Sequence, residues 1–191
     1  RSWMATTLPD TRDADVVALL NRRNYVVLEG PPGTGKTDMA TRILHRVYQG
    51  RGHVIQFHPG TTYESFIGGL APEAGGAMGF TFTPKPGHLM EAAAEARNSD
   101  EPYLLVIDEI NRADLSKILG EAIYLFEPGH HDRHVELAHD FPGNGPNLQL
   151  PPNLHVLGPM NSADRSIAIL DLALRRRFAF VPLWPQCSVV E

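Results

Sequence analysis

Short apolar runs alternate with segments of helical periodicity along most of the chain. The first run, Tyr25-Val26-Val27-Leu28, ends at Glu29-Gly30 and reads as a buried strand bounded by glycine. Ahead of it, residues 11–23 carry Val16, Val17, Leu19 and Leu20 among charged positions, the pattern of a short helix. Thr37 to Tyr48 is again helical and stops at Gln49-Gly50. His53 to Phe57 is the next strand candidate, closed by His58-Pro59-Gly60. Thr61 to Ile67 follows as a short helix, with Thr61 or Thr62 as its cap and Gly68-Gly69 as its stop. Residues 71–87 are rich in glycine and proline; within them Met78, Phe80 and Phe82 alternate with smaller residues, which predicts a hairpin arm. Leu89 to Arg97 is an alanine-rich helix, and Tyr103 to Ile107 is a continuous apolar run of the kind found in parallel sheets covered on both faces. Leu115, Ile118, Leu119, Ala122, Ile123 and Phe126 recur at helical spacing and predict one helix. Residues 127–152 hold two alternating pieces, Val135–Leu137 and Leu148–Leu150, read as a second hairpin insertion. Leu154 to Leu157 is a strand, Ile167 to Arg175 a helix and Phe178 to Val181 the last strand. Strands alternating with helices predict an α/β domain with a mostly parallel, five-stranded sheet flanked by helices and interrupted by β-hairpin insertions.

Composition narrows the class. The 191 residues are 42% hydrophobic and 20% charged, enough for one domain with a sizeable core. Seventeen basic residues against 22 acidic ones give a net charge of −5, which argues against a nucleic-acid grip by bulk charge. A single cysteine, Cys187, excludes an internal disulfide framework and fits a reducing compartment. No stretch approaches the roughly 20 apolar residues of a membrane span, and the first residues lack a signal-peptide layout, so no membrane partner and a cytoplasmic address are expected.

The chemistry concentrates at strand ends. Residues 30–37, Gly30-Pro31-Pro32-Gly33-Thr34-Gly35-Lys36-Thr37, match the phosphate-loop pattern G-x-x-x-x-G-K-[ST] between a predicted strand and a predicted helix. Glycines allow the backbone to wrap phosphate oxygens, and the following helix offers its positive end to the same anion. Lys36 then reaches the outer phosphates, and the Thr37 hydroxyl is placed to bind Mg²⁺. Asp108 and Glu109 close the strongest strand; Asp108 suits the metal and Glu109 the attacking water. Asn161 follows the Leu154–Leu157 strand and could hydrogen-bond that water or the γ-phosphate; an isolated Asn there is more often a turn residue, and the company of the first two motifs reverses that. Arg175-Arg176-Arg177 ends a helix, either as favourable C-terminal charge or as an arginine finger for a neighbouring subunit. His130, His131, His134 and His139 share a polar insertion and read as solvated side chains.

Four blocks carry a family resemblance: GPPGTGKT, VIQFHPGTTYESFIGG, LLVIDEINRADLSKILGE and MNSADRSIAILDLALRRRFAF. In this order they resemble the AAA+ core of the McrB-type NTPases, motor subunits of modified-cytosine-dependent restriction systems, from about Tyr25 to Val181. The resemblance implies that Gly30 to Thr37 form Walker A, Asp108 and Glu109 Walker B, and Asn161 the sensor-1 asparagine. It implies that Arg112 lies near the subunit interface and that Arg176 and Arg177 act in trans. It further implies a hexameric ring that uses GTP, or ATP, with Mg²⁺ and drives a McrC-like nuclease subunit. Asn161-Ser162-Ala163-Asp164 corresponds to a stretch likened to a guanine-specificity element; a strand-end position favours the phosphates, so base choice does not follow, and Asp164 is carried over as a nucleotide-binding candidate. Residues 1–24 would be a helical lead-in, 25–181 the large AAA+ subdomain and 182–191 a tail that stops short of the family's helical lid. Contact with DNA would fall to domains outside this chain. A MoxR-like remodelling ATPase, or a nucleotide-dependent assembly module with little turnover, are the alternatives.

Overall fold

The structure, a computed structural model, describes residues 11–75, 79–143, 145–163 and 172–185. Its centre is a five-stranded sheet of β1 (Tyr25–Gly30), β2 (Gly52–Gln56), β5 (Tyr103–Asp108), β8 (Leu154–Asn161) and β9 (Ala179–Pro182). The strands lie in the order β2-β5-β8-β1-β9, and every pairing is parallel. Apolar runs form its middle because both faces are covered. Val26 and Leu28 of β1 and Leu104 and Val106 of β5 pack with α1 (Asp13–Arg23) and α2 (Lys36–Arg46) through Val16, Leu20, Met39 and Ile43. The alternate residues Tyr25, Val27, Leu105 and Ile107 join α4 (His88–Arg97) on the other face through Leu89, Ala92 and Ala93.

Two hairpins stand outside this sheet: β3 (Gly68–Ala74) with β4 (Phe80–Pro86), and β6 (Val135–Phe141) with β7 (Gly145–Leu148). In the first, Ala74 opposes Phe80 and Pro72 opposes Phe82, so one face is apolar, and Phe80 and Phe82 are exposed. The expected alternation at Met78 lies outside the described residues. The short helix α3 (Tyr63–Phe66) is capped by Thr62, whose side chain accepts from the Ser65 amide.

Two expectations change, and a third falls partly outside the described residues. The single helix over residues 115–126 is split into α5 (Leu115–Leu119) and a 3₁₀ turn, Gly120–Leu125. Gly120 has φ 49°, and a Cβ there would stand 3.1 Å from the Tyr63 ring, so glycine breaks the helix where the apolar period runs on. The strand expected at Leu154–Leu157 continues to Asn161. Pro159 is tolerated because β8 pairs with β5 only as far as Leu157; beyond it, the N and O of Pro159 face an edge where the carbonyl accepts from the Ile110 amide at 3.1 Å. The helix expected from Ile167 is described only as α6, Leu172–Arg175; its earlier part lies outside the described residues.

A buried polar pair joins the sheet to the end of α2. Tyr48 and His155 are almost wholly buried, and their Oη and Nδ1 atoms lie 2.5 Å apart. Burial first, and then the charge of His131, pushes the His155 pKa down from 6.5 to about 4. Below its usual value the unfolded chain therefore takes up a proton that the folded chain refuses. Stability falls as pH drops through this window, by about 2 kcal/mol between pH 6.5 and pH 5. Urea midpoints at pH 7 and pH 5 check this: the drop should shrink in a His155→Leu/Tyr48→Phe double variant, and an equal drop would remove His155 from the acid response.

Candidate nucleotide site

The loop between β1 and α2 is built on two glycines in the left-handed region, Gly33 with φ 79° and Gly35 with φ 76°. Open space surrounds both, so the requirement there is conformational. Gly30 is needed for a different reason: a Cβ would sit 2.2 Å from the Leu183 carbonyl oxygen, so it serves close packing beside β9 rather than the wrap around phosphate. Lys36 lies at the start of α2 and is nearly buried; its Nζ donates to the carbonyls of Gly30 at 2.9 Å and Pro31 at 2.7 Å. Thr34 Oγ1 also bonds the Pro31 carbonyl, at 3.0 Å, which folds the loop onto itself. Desolvation lowers the Lys36 pKa, against the opposing charges of Glu109 and Asp108.

Strand β5 brings its acidic end to the same place. Thr37 Oγ1 donates to Asp108 Oδ1 at 2.9 Å, closing the start of α2 onto the end of β5. These two oxygens are hard donors of the type Mg²⁺ takes, and their proximity fits a shared metal position. Glu109 is a non-glycine residue at φ 53°, a strained conformation that turns the chain sharply after the strand. Its carboxylate pairs with Arg112 Nε at 3.2 Å, and its carbonyl accepts from the Arg112 amide at 2.8 Å. Asn161 ends β8 beside Gly30 of β1, and its Oδ1 accepts from the Ala163 amide at 3.1 Å. Gly33, Lys36, Thr37, Asp108, Glu109 and Asn161 line one cleft of about 230 Å³, and Pro32 borders it.

The arginines separate. Arg176 is exposed at the end of α6. Arg177 is 7% exposed, donates Nη1 to the Ala173 carbonyl at 2.8 Å and stands 3.8 Å from Glu127. Arg177 thus turns into its own domain, whereas Arg176 faces solvent. Asp164 lies outside the described residues. Two contributors were not anticipated. The Ser162 amide donates to the Gly30 carbonyl at 3.1 Å, and the Asn111 side chain donates to the Asn161 carbonyl at 3.0 Å. Only the position of Asn111, two residues past the acidic pair, offered a signal.

Fold and cleft together define the core of a P-loop NTPase. A profile of the AAA domain, dynein-related subfamily, matches residues 25–178. The chain is 35% identical over 184 residues to the EcoKMcrB subunit of the type IV methyl-directed restriction enzyme of Escherichia coli K12, covering 93% of this chain and 39% of that protein. It is 28% identical over 198 residues to the BsuMI type II restriction enzyme component YdiS of Bacillus subtilis 168, covering 83% of this chain and 56% of that protein. The crystal structure of a protein from Cytophaga hutchinsonii, assigned as an ATPase, shares the fold with a TM-score of 0.53 at 17% identity, over 92% of this chain and 47% of that one. The chain belongs to the AAA domain family, dynein-related subfamily, as an AAA+ NTPase of the McrB type. It spans between about two-fifths and just over half the length of these restriction relatives. Among the described residues, no helix is long and apolar enough to cross a membrane.

Proposed function

We propose that the chain binds and hydrolyses GTP with Mg²⁺ as one subunit of a hexameric ring, and that the ring drives a McrC-like nuclease partner in restriction of modified DNA. The observation that carries this reading is the convergence of Lys36, the Thr37–Asp108 pair and Glu109 on one cleft. The likeness to the EcoKMcrB subunit supports the choice of system. Contact with DNA is assigned to regions beyond this chain. The test compares GTP with ATP, in binding and in turnover, with and without the partner subunit. GTP-selective turnover raised by the partner is expected; ATP-selective turnover indifferent to it would point instead to a remodelling ATPase.

The roles divide by geometry. Lys36 draws the outer phosphates into the loop, and Thr37 and Asp108 would hold Mg²⁺, which neutralises charge on the phosphate oxygens. Glu109 takes the proton of the attacking water, and Asn161 holds that water or the γ-phosphate. Arg112 sits next to Glu109 and is assigned to the subunit boundary. Arg176, open to solvent, is assigned as the finger that reaches a neighbour's site. Arg176→Ala should leave triphosphate affinity intact and lower turnover about 10³-fold. Mixing Arg176→Ala with Glu109→Gln subunits should restore part of the rate, since each supplies what the other lacks. A mixture no faster than its components would remove Arg176 from a trans role.

A further inference from the structure

We infer that Asn111 is a positioning residue for hydrolysis: its side-chain amide, clamped on the Asn161 carbonyl, fixes the Glu109 turn against the strand end that carries Asn161. The inference rests on the NTPase reading and adds to it a residue that touches neither phosphate nor water.

The two groups that must share one attacking water come from different strands. Glu109 follows β5 and Asn161 ends β8, but the ladder between these strands stops at Val106 and Leu157. Beyond that point the regular ladder no longer holds the two ends in register, and isolated contacts must do it. There are three. The Ile110 amide donates to the Pro159 carbonyl at 3.1 Å. Ile110 packs so closely on Gly158 that a Cβ at that glycine would stand 2.7 Å from its Cδ1. Asn111 Nδ2 donates to the Asn161 carbonyl at 3.0 Å. Of these, only the third is made by a side chain to the backbone of the sensor residue itself.

The polarity of Asn111 is otherwise hard to account for. The residue is 5% exposed, and among the described residues its buried Oδ1 has no hydrogen-bond partner. A carbonyl can only accept, so Nδ2 must face Asn161 and the acceptor end is left over. An orphaned buried acceptor weakens a fold, and a leucine of similar size would remove it. Retention of an amide in this place therefore fits a bond needed by the site more than one needed by the fold. The bond also joins a longer chain of contacts. Asn161 lies in register with Gly30, whose carbonyl accepts both the Ser162 amide and Lys36 Nζ. Asn111 thus ties the water-activating turn to the strand that in turn abuts the phosphate loop.

The test is Asn111→Leu in the full chain, with Asn111→Asp as an isosteric second variant that lacks the donor. Three quantities are read beside the wild type: Kd for Mg-triphosphate, kcat and Tm. The expected result is Kd within about twofold, kcat lowered tenfold or more in both variants, and a Tm for Asn111→Leu equal to or above that of the wild type. Unchanged kcat in either folded variant overturns the inference, and so does a fall in kcat that tracks a fall in Tm and a rise in Kd. Failure of the underlying reading looks different: the wild type itself would then neither bind nor turn over triphosphate, and Lys36→Ala would be indistinguishable from it.

Discussion

Lys36→Ala is expected to weaken triphosphate binding by about 10²–10³-fold, or roughly 3–4 kcal/mol, with little change in the fold. The size follows from what Nζ does in each state. Without ligand it is nearly buried and bonded to the carbonyls of Gly30 and Pro31. Those are neutral acceptors, and the lysine sits there with its pKa lowered by desolvation. A triphosphate replaces neutral carbonyls with anionic oxygens in the same poorly solvated place, where charge-assisted bonds are about twice as strong. Alanine loses that difference in full. The fold loses less, because the Gly30 carbonyl keeps the Ser162 amide and the Pro31 carbonyl keeps the Thr34 hydroxyl. Titration calorimetry with Mg-GTP and Mg-ATP gives the affinity, and a thermal melt the stability. Affinity within threefold of the wild type would take the cleft out of consideration as a phosphate site.

The parts of this site that could be read in sequence are those where a local rule has one outcome. Gly30 to Thr37 specify a loop because few other arrangements need left-handed residues at Gly33 and Gly35 followed at once by a helix. Tyr103 to Asp108 specify a covered strand because four consecutive buried positions, Leu104 to Ile107, leave no solvent face. What could not be read depends on partners distant in the chain. Gly120 lies within an unbroken helical period, and only the Tyr63 ring beside it shows why the helix ends. Gly158-Pro159 looks like a strand terminator, yet the strand continues because the ladder to β5 stops at Leu157 while β1 pairs with it as far as Asn161. Arg177 belongs to a run that reads as helix-end charge or as an arginine finger, and its burial follows from Glu127 and the Ala173 carbonyl. Asn111 looks like an ordinary loop residue until the Asn161 carbonyl is placed against it.

Glu109→Gln is expected to keep triphosphate binding and to lower turnover by about 10²–10⁴-fold. The two acidic residues differ in what they touch, and that difference separates their roles. Asp108 bonds the Thr37 hydroxyl across the gap between β5 and α2, the position suited to Mg²⁺. Glu109 bonds nothing in the phosphate loop; its carboxylate faces Arg112 on its own turn. Removing its charge therefore spares the groups that hold phosphate and metal, and takes away only the acceptor for a proton from water. The Arg112 ion pair is lost as well, but Arg112 is half-exposed, and exposed pairs contribute at most about 1 kcal/mol. The left-handed backbone at this position is equally strained for either side chain, so the turn should persist. Removing a negative charge from the cleft proposed to take the triphosphate should, if anything, tighten binding. Single-turnover hydrolysis together with equilibrium binding makes the separation: Asp108→Asn should weaken Mg²⁺-dependent binding, whereas Glu109→Gln should slow only the chemical step. A Glu109→Gln protein that hydrolyses within threefold of the wild-type rate would move the base elsewhere in the cleft, and with it the reason for holding Asn161 in register with this turn.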